Sequence, residues 1–120
     1  HTKTSREFLK FWEKGEIIHT NKKTLISEGE KQKNLMLVLN GYAHVVRNNK
    51  KVATLERGQF IAEISYITGK LASADVIVSD EMTYFIWNKK SLDKLRKSYP
   101  VLMNKLDHIL TLDLAGKLIR

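Results

Sequence analysis

Short apolar runs separated by glycine and polar residues set the rhythm of the middle of the chain. The runs cover residues 16–20, 24–27, 35–39, 42–47, 51–55, 75–78 and 82–87, and they are rich in β-branched and aromatic side chains. Such runs favour strands because these side chains fit a pleated, half-buried surface. Gly15, Gly29, Gly41, Gly58 and Gly69 punctuate them. Asn40-Gly41 is a hairpin signal joining the runs on either side of it, Asn48-Asn49 forms a second polar turn, and Ser79-Asp80-Glu81 separates the last two runs. Strands this short, with a turn signal every ten or so residues, predict a small antiparallel sandwich or barrel.

The two ends change period. Residues 4–14 set Phe8, Leu9, Phe11 and Trp12 among charges, which predicts a short amphipathic helix. Ser91 is placed to cap a helix that runs through Leu92 and Leu95 and stops near Pro100. Leu102, Leu106, Leu110, Leu114 and Leu118 then recur at spacing four, with Ile109 and Leu112 widening the stripe. That pattern is a helix with one apolar face, expected to pack on the barrel or to form a lid or the seam of a homodimer.

Between Phe60 and Val76 the pattern breaks. Residues 61–67 have helical spacing with one acid, Glu63, and residues 68–74 are small and turn-forming. A short helix and loop set between two strands is a place where ligand sites are built.

Composition narrows the function. The 120 residues are 42% hydrophobic and 28% charged, one soluble domain's worth. The longest apolar run, residues 35–39, is far short of the ~20 residues a spanning helix needs. The absence of cysteine excludes a disulfide scaffold, a thiolate metal site and a cysteine nucleophile, and it suits a reducing, cytoplasmic setting. The chain begins at His1 rather than Met. It is therefore expected to be a fragment, with any membrane attachment supplied upstream.

The net charge is +8, and its densest cluster is Lys89, Lys90, Lys94, Arg96 and Lys97. Such a cluster is either a solvated helix face or a docking surface for an anionic partner. It is mostly Lys, without the bidentate Arg and interleaved aromatics of base recognition, so no direct DNA binding is expected. His1, His19, His44 and His108 have no metal-ligand spacing, and neither a Walker loop nor an acid–base pair is present. An enzyme is not expected.

The glycines, strand lengths and the 60–76 segment together resemble the cyclic-nucleotide-binding domain family, that of catabolite activators and protein kinase A regulatory subunits. Ser27-Glu28-Gly29-Glu30 resembles the family's first turn, Asn40-Gly41 its second, and Arg57-Gly58-Gln59-Phe60 the entry to its phosphate-binding cassette. The cassette then reads Ala62-Glu63-Ile64, followed after a few residues by Lys70-Leu71-Ala72-Ser73-Ala74-Asp75-Val76.

The resemblance implies a mainly β fold with flanking helices: a jelly-roll, or double-stranded β-helix, of about eight strands. As one domain over residues 1–120, it would comprise a helical segment at 1–14, a β-roll at 16–88 with its cassette at 58–76, and C-terminal helices at 91–120. It also implies a non-enzymatic sensor whose ligand is cAMP or cGMP, with no other cofactor. Carried over, Glu63 would accept the ribose hydroxyl and Ser73 would bind phosphate, with Ala62, Ile64, Ala72 and Ala74 completing the site. Glu63 has a plainer reading too, as a carboxylate satisfied by helix amides.

Two positions depart from the family. Ala62 stands where it has glycine, and Ala72 stands where it has the arginine that pairs with phosphate. Losing that charge-assisted contact costs about 1.5–3 kcal/mol, so binding is expected to be weak or altered. Lys70 is the nearest substitute cation, although it lacks the planar fork of arginine.

A weaker resemblance, to the Popeye domain branch, rests on Tyr84-Phe85-Ile86-Trp87 followed by Asn88-Lys89-Lys90-Ser91-Leu92. Popeye domains follow membrane spans. The alternatives are a ligand-independent dimerisation module using the C-terminal helix, and the sensor part of a transcription regulator or membrane-tethered protein.

Overall fold

A computed structural model describes the backbone of residues 2–119 and the side chains of residues 6–114. The elements are α1 (Thr2–Glu13), β1 (Glu16–Thr20), β2 (Lys23–Ile26), β3 (Leu35–Gly41), β4 (Ala43–Arg47), β5 (Lys50–Leu55), β6 (Phe60–Ile61), α2 (Glu63–Thr68), β7 (Asp75–Val78), β8 (Met82–Trp87), α3 (Lys89–Ser98) and α4 (Pro100–Ile119). The strands form two antiparallel four-stranded sheets, ordered β1-β8-β3-β6 and β2-β7-β4-β5. This is the β-roll with short and C-terminal helices expected from the sequence.

One turn differs from expectation. Asn40-Gly41 does not close a hairpin: β3 pairs with β6 and β8, whereas β4 pairs with β5 and β7 in the other sheet. Gly41 is instead the corner where the chain changes sheets. Its φ is +80°, and a Cβ there would lie 2.5 Å from the Glu81 carbonyl oxygen. The register of β3 on β8 slips between Val38 and Asn40, which bends the strand into that corner. The Asn48-Asn49 turn does form as expected. It joins β4 to β5 with φ of 53° and 63°, the left-handed pair that a two-residue hairpin requires.

Ile26, Val38, Ala43, Ile61 and Val78 fill the space between the sheets. A second cluster lies under the helices, where Phe11, Leu35, Trp87, Leu92, Leu95 and Met103 are buried. The rings of Phe11 and Trp87 stack with centroids 4.3 Å apart, docking α1 on β8.

One further expectation changes, and one choice left open by the sequence is narrowed. The cap of α3 is Asn88 rather than Ser91, because Asn88 Oδ1 accepts from the Ser91 N–H at 2.8 Å and the helix starts a turn earlier. The leucine face of α4 belongs to the chain's own core. Leu102, Leu106 and Leu110 are buried in the cluster that also holds Leu35, Trp87, Leu92 and Leu95, which is the packing alternative of the sequence reading. The reason is the break at Tyr99, which folds α4 back on α3 instead of letting it project. Leu114 is half-buried, and the side chain of Leu118 lies outside the described residues. Among the described residues, the large apolar groups that α4 exposes are Val101, Ile109 and Leu112. No helix among the described residues is long and apolar enough to cross a membrane.

Candidate functional site

The segment from Phe60 to Val76 runs from β6 of the first sheet to β7 of the second and, with residues of β2, β4 and β5, lines a cavity of about 330 Å³. Ala62 turns the chain into α2 with φ 58° and ψ 32°. This left-handed conformation costs a non-glycine residue roughly 1–2 kcal/mol. It leaves Glu63, at the start of the helix, only 3% exposed.

At the other end of α2, Gly69 takes φ +73° and its N–H donates to the Ser65 carbonyl, which stops the helix. The Ser65 hydroxyl donates to the Lys70 carbonyl, and the Lys70 N–H donates to Thr68 Oγ1 at 3.2 Å. These bonds fold the loop back toward the sheet.

The exit of the segment is stitched to the loop after β2. The Gly29 N–H donates to the Ala72 carbonyl at 2.8 Å, and the Ala72 N–H donates to the Glu30 carbonyl at 2.7 Å. Asp75 Oδ1 accepts from the Glu28 N–H at 2.7 Å. The positive φ of Gly29 allows this loop to come alongside.

All seven residues named from the resemblance line the cavity: Ala62, Glu63, Ile64, Lys70, Ala72, Ser73 and Ala74. The structure thus gathers a buried carboxylate, an exposed hydroxyl and apolar walls from Ile26, Val45, Leu55 and Val76 around one space. Apolar walls with a few convergent polar groups are the general character of small-molecule sites. Among the described residues no group of His, Asp and Glu is arranged to hold a metal.

Sequence reasoning does not reach Arg47, which also lines the cavity. Its Nε donates to the Ser73 carbonyl at 3.2 Å and its Nη2 to Ser73 Oγ at 3.1 Å. Arg47 lies on the same face of β4 as Val45, because strand side chains alternate. The pairing of β4 with β7 ends at Val46 and Asp75, so the next step along β4 sets Arg47 across from Ala74, from where its long side chain reaches Ser73. Lys70, by contrast, makes its hydrogen bonds through its backbone. Arg96 also leaves the basic cluster: it donates to Asp107 Oδ2 at 2.7 Å and to the Tyr66 hydroxyl at 3.0 Å, joining α3 to α4 and α2.

Compared with known families, residues 9–99 match the model of the cyclic nucleotide-binding domain. The chain belongs to the cyclic nucleotide-binding domain family. No curated protein matches the sequence. Solved structures of the fold do. A cyclic nucleotide-binding domain from Methylobacillus flagellatus KT is 25% identical with a TM-score of 0.81, the match covering 96% of this chain and 67% of that one. The Thermus thermophilus catabolite activator protein is 17% identical at a TM-score of 0.75, with coverage of 95% and 56%. The regulatory domain of Toxoplasma gondii PKA with cAMP is 14% identical at 0.60, with coverage of 68% and 33%. The chain therefore spans only part of the length of each. Within the cyclic nucleotide-binding domain, the cavity is lined by the segment in which the sequence reading expects the cassette.

Proposed function

We propose that this chain is a non-enzymatic regulatory sensor whose cavity takes a cyclic nucleotide, cAMP or cGMP, with an affinity lowered or altered by Ala72. The reading is carried by one observation: Glu63 and Ser73 lie on a single cavity of nucleotide-compatible size, formed by the family's cassette. Glu63 accepts the ribose hydroxyl, Ser73 contacts the cyclic phosphate, and Ala62, Ile64, Ala72 and Ala74 supply the close walls. The likeness to a PKA regulatory domain solved with cAMP supports the ligand class.

Dimerisation through the C-terminal helix has less support. The Leu102–Leu106–Leu110 face is already packed within the chain; the exposed apolar residues of the helix among those described are Val101, Ile109 and Leu112.

Calorimetric titration with cAMP and with cGMP tests the sensor reading. Heat of binding is expected for one of them, lost in Glu63→Ala and strengthened by about tenfold or more in Ala72→Arg, which adds a charge-assisted contact. Silence from both nucleotides at millimolar concentration, in the wild-type protein and in Ala72→Arg alike, overturns it.

A further inference from the structure

Arg47 is an arginine held at the mouth of a ligand cavity by a serine of the cavity wall. Two of its five N–H donors are engaged, both by Ser73. The ion pairs Lys10–Glu13, Lys89–Asp93 and Arg96–Asp107 do not draw on Arg47. The guanidinium is therefore oriented by one edge, with its other donors open to a ligand. A planar fork of this kind matches the two free oxygens of a phosphodiester.

We propose that Arg47 is the cation that pairs with the phosphate of the bound nucleotide, entering from β4 in place of a cassette arginine at position 72. The inference rests on the sensor reading above and deepens it. Ser73 acts on the phosphate twice, through its own hydroxyl and by holding the guanidinium in place. The cavity wall supports the exchange of positions. Ala72 is fixed by backbone bonds to Gly29 and Glu30 and presents only a methyl group. Arg47 reaches Ser73, the next residue, from the opposite strand. The phosphate site is thus relocated by one strand rather than erased, and Lys70 is not needed to fill it.

Titrations of cAMP and of adenosine, which keeps base and ribose but has no phosphate, test the assignment in four proteins: wild type, Arg47→Gln, Ala72→Arg and the double variant. Because Arg47 is exposed, Arg47→Gln is expected to fold normally, which thermal melting checks. Expected is a loss of about 10- to 200-fold in cAMP affinity in Arg47→Gln, no matching loss for adenosine, and a much smaller loss when Arg47→Gln is made on top of Ala72→Arg. Binding of cAMP that Arg47→Gln leaves within twofold overturns the assignment while the sensor reading stands. So does an equal loss for adenosine, which would mark a wall residue rather than a phosphate partner. Binding seen only once Ala72→Arg is introduced also overturns it, because Arg47 would then be insufficient. Silence toward cAMP and cGMP in wild type and Ala72→Arg removes both readings together.

Discussion

The guanidinium of Arg96 donates at 3.0 Å to the phenol oxygen of Tyr66, a bond between α3 and the cassette helix α2. Burial raises the Tyr66 pKa above the ordinary 10.0. Arg96 pulls it down and Asp107 pushes it up, and burial is the largest of the three influences. Tyrosine carries charge only when deprotonated, so a raised pKa means the folded state keeps its proton longer than the unfolded state. The stability linked to Tyr66 is therefore fully present below pH 10 and is lost as pH climbs through the folded-state value. Melting temperature followed from pH 8 to 11.5 should fall beyond pH 10, and Tyr66→Phe should flatten that fall. Tyr84, raised by burial alone, leaves part of the slope in the variant. An unchanged slope in Tyr66→Phe would show that Tyr66 does not carry the linkage.

Asp107 completes the bridge, accepting from Arg96 Nη1 at 2.7 Å, with the two side chains 40% and 42% exposed. Solvent screens a pair this open, so Asp107→Asn should cost only about 0.5–1 kcal/mol, and less in high salt. Arg96→Met removes the bond to Tyr66 as well and should cost more than Asp107→Asn. Urea titrations at low and high salt read both effects. Equal costs for the two variants would mean that the Tyr66 bond adds nothing.

Trp87 ties α1 to the first sheet. It is fully buried, its Nε1 donates to the Phe11 carbonyl at 2.7 Å, and its ring stacks on Phe11. Trp87→Leu removes the hydrogen bond and leaves a cavity that the rigid sheet cannot fill. A loss of about 3–4 kcal/mol follows, enough to lower the melting temperature by more than 10 °C in a domain of this size. A loss below about 1 kcal/mol would show that α1 contributes little to the fold.

How much of this was legible in the sequence depends on range. Alternation and turn residues place seven of the eight strands to within a residue or two, since both act locally, whereas the two-residue β6 is too short to show a period and its Ile61 reads as part of the helix that follows; the cassette pattern names seven residues that share one cavity. The failures were of partner choice. Asn-Gly promises a tight turn but does not say whether the next strand stays in the same sheet. A hairpin there would set Arg47 near Asn34, remote from Ser73, and so the misread turn also hid the cavity's arginine. The spacing-four leucines showed that α4 has an apolar face. Their spacing leaves open whether that face meets the chain's own core or a second copy, and the break at Tyr99 sets it on the core. The Asn88 cap was missed because asparagine and Ser91 are both capping residues, and only the start of the helix decides between them.

Gly41 and Gly29 separate two causes of glycine dependence. Both have positive φ, +80° and +88°. At Gly29 an added Cβ would meet nothing within 4 Å, whereas at Gly41 it would lie 2.5 Å from the Glu81 carbonyl oxygen and 3.0 Å from Met82 Cα. Gly29→Ala should therefore cost only the left-handed conformation, about 1–2 kcal/mol. Gly41→Ala should cost that and more, above about 3 kcal/mol in total. Its obstacles are backbone atoms at the start of β8, which cannot rotate away as a side chain could. Denaturant titration of the two variants gives the steric part by difference. Equal losses would mean that the β3–β8 corner yields to the methyl group, so that the crossing between sheets is held by its register alone.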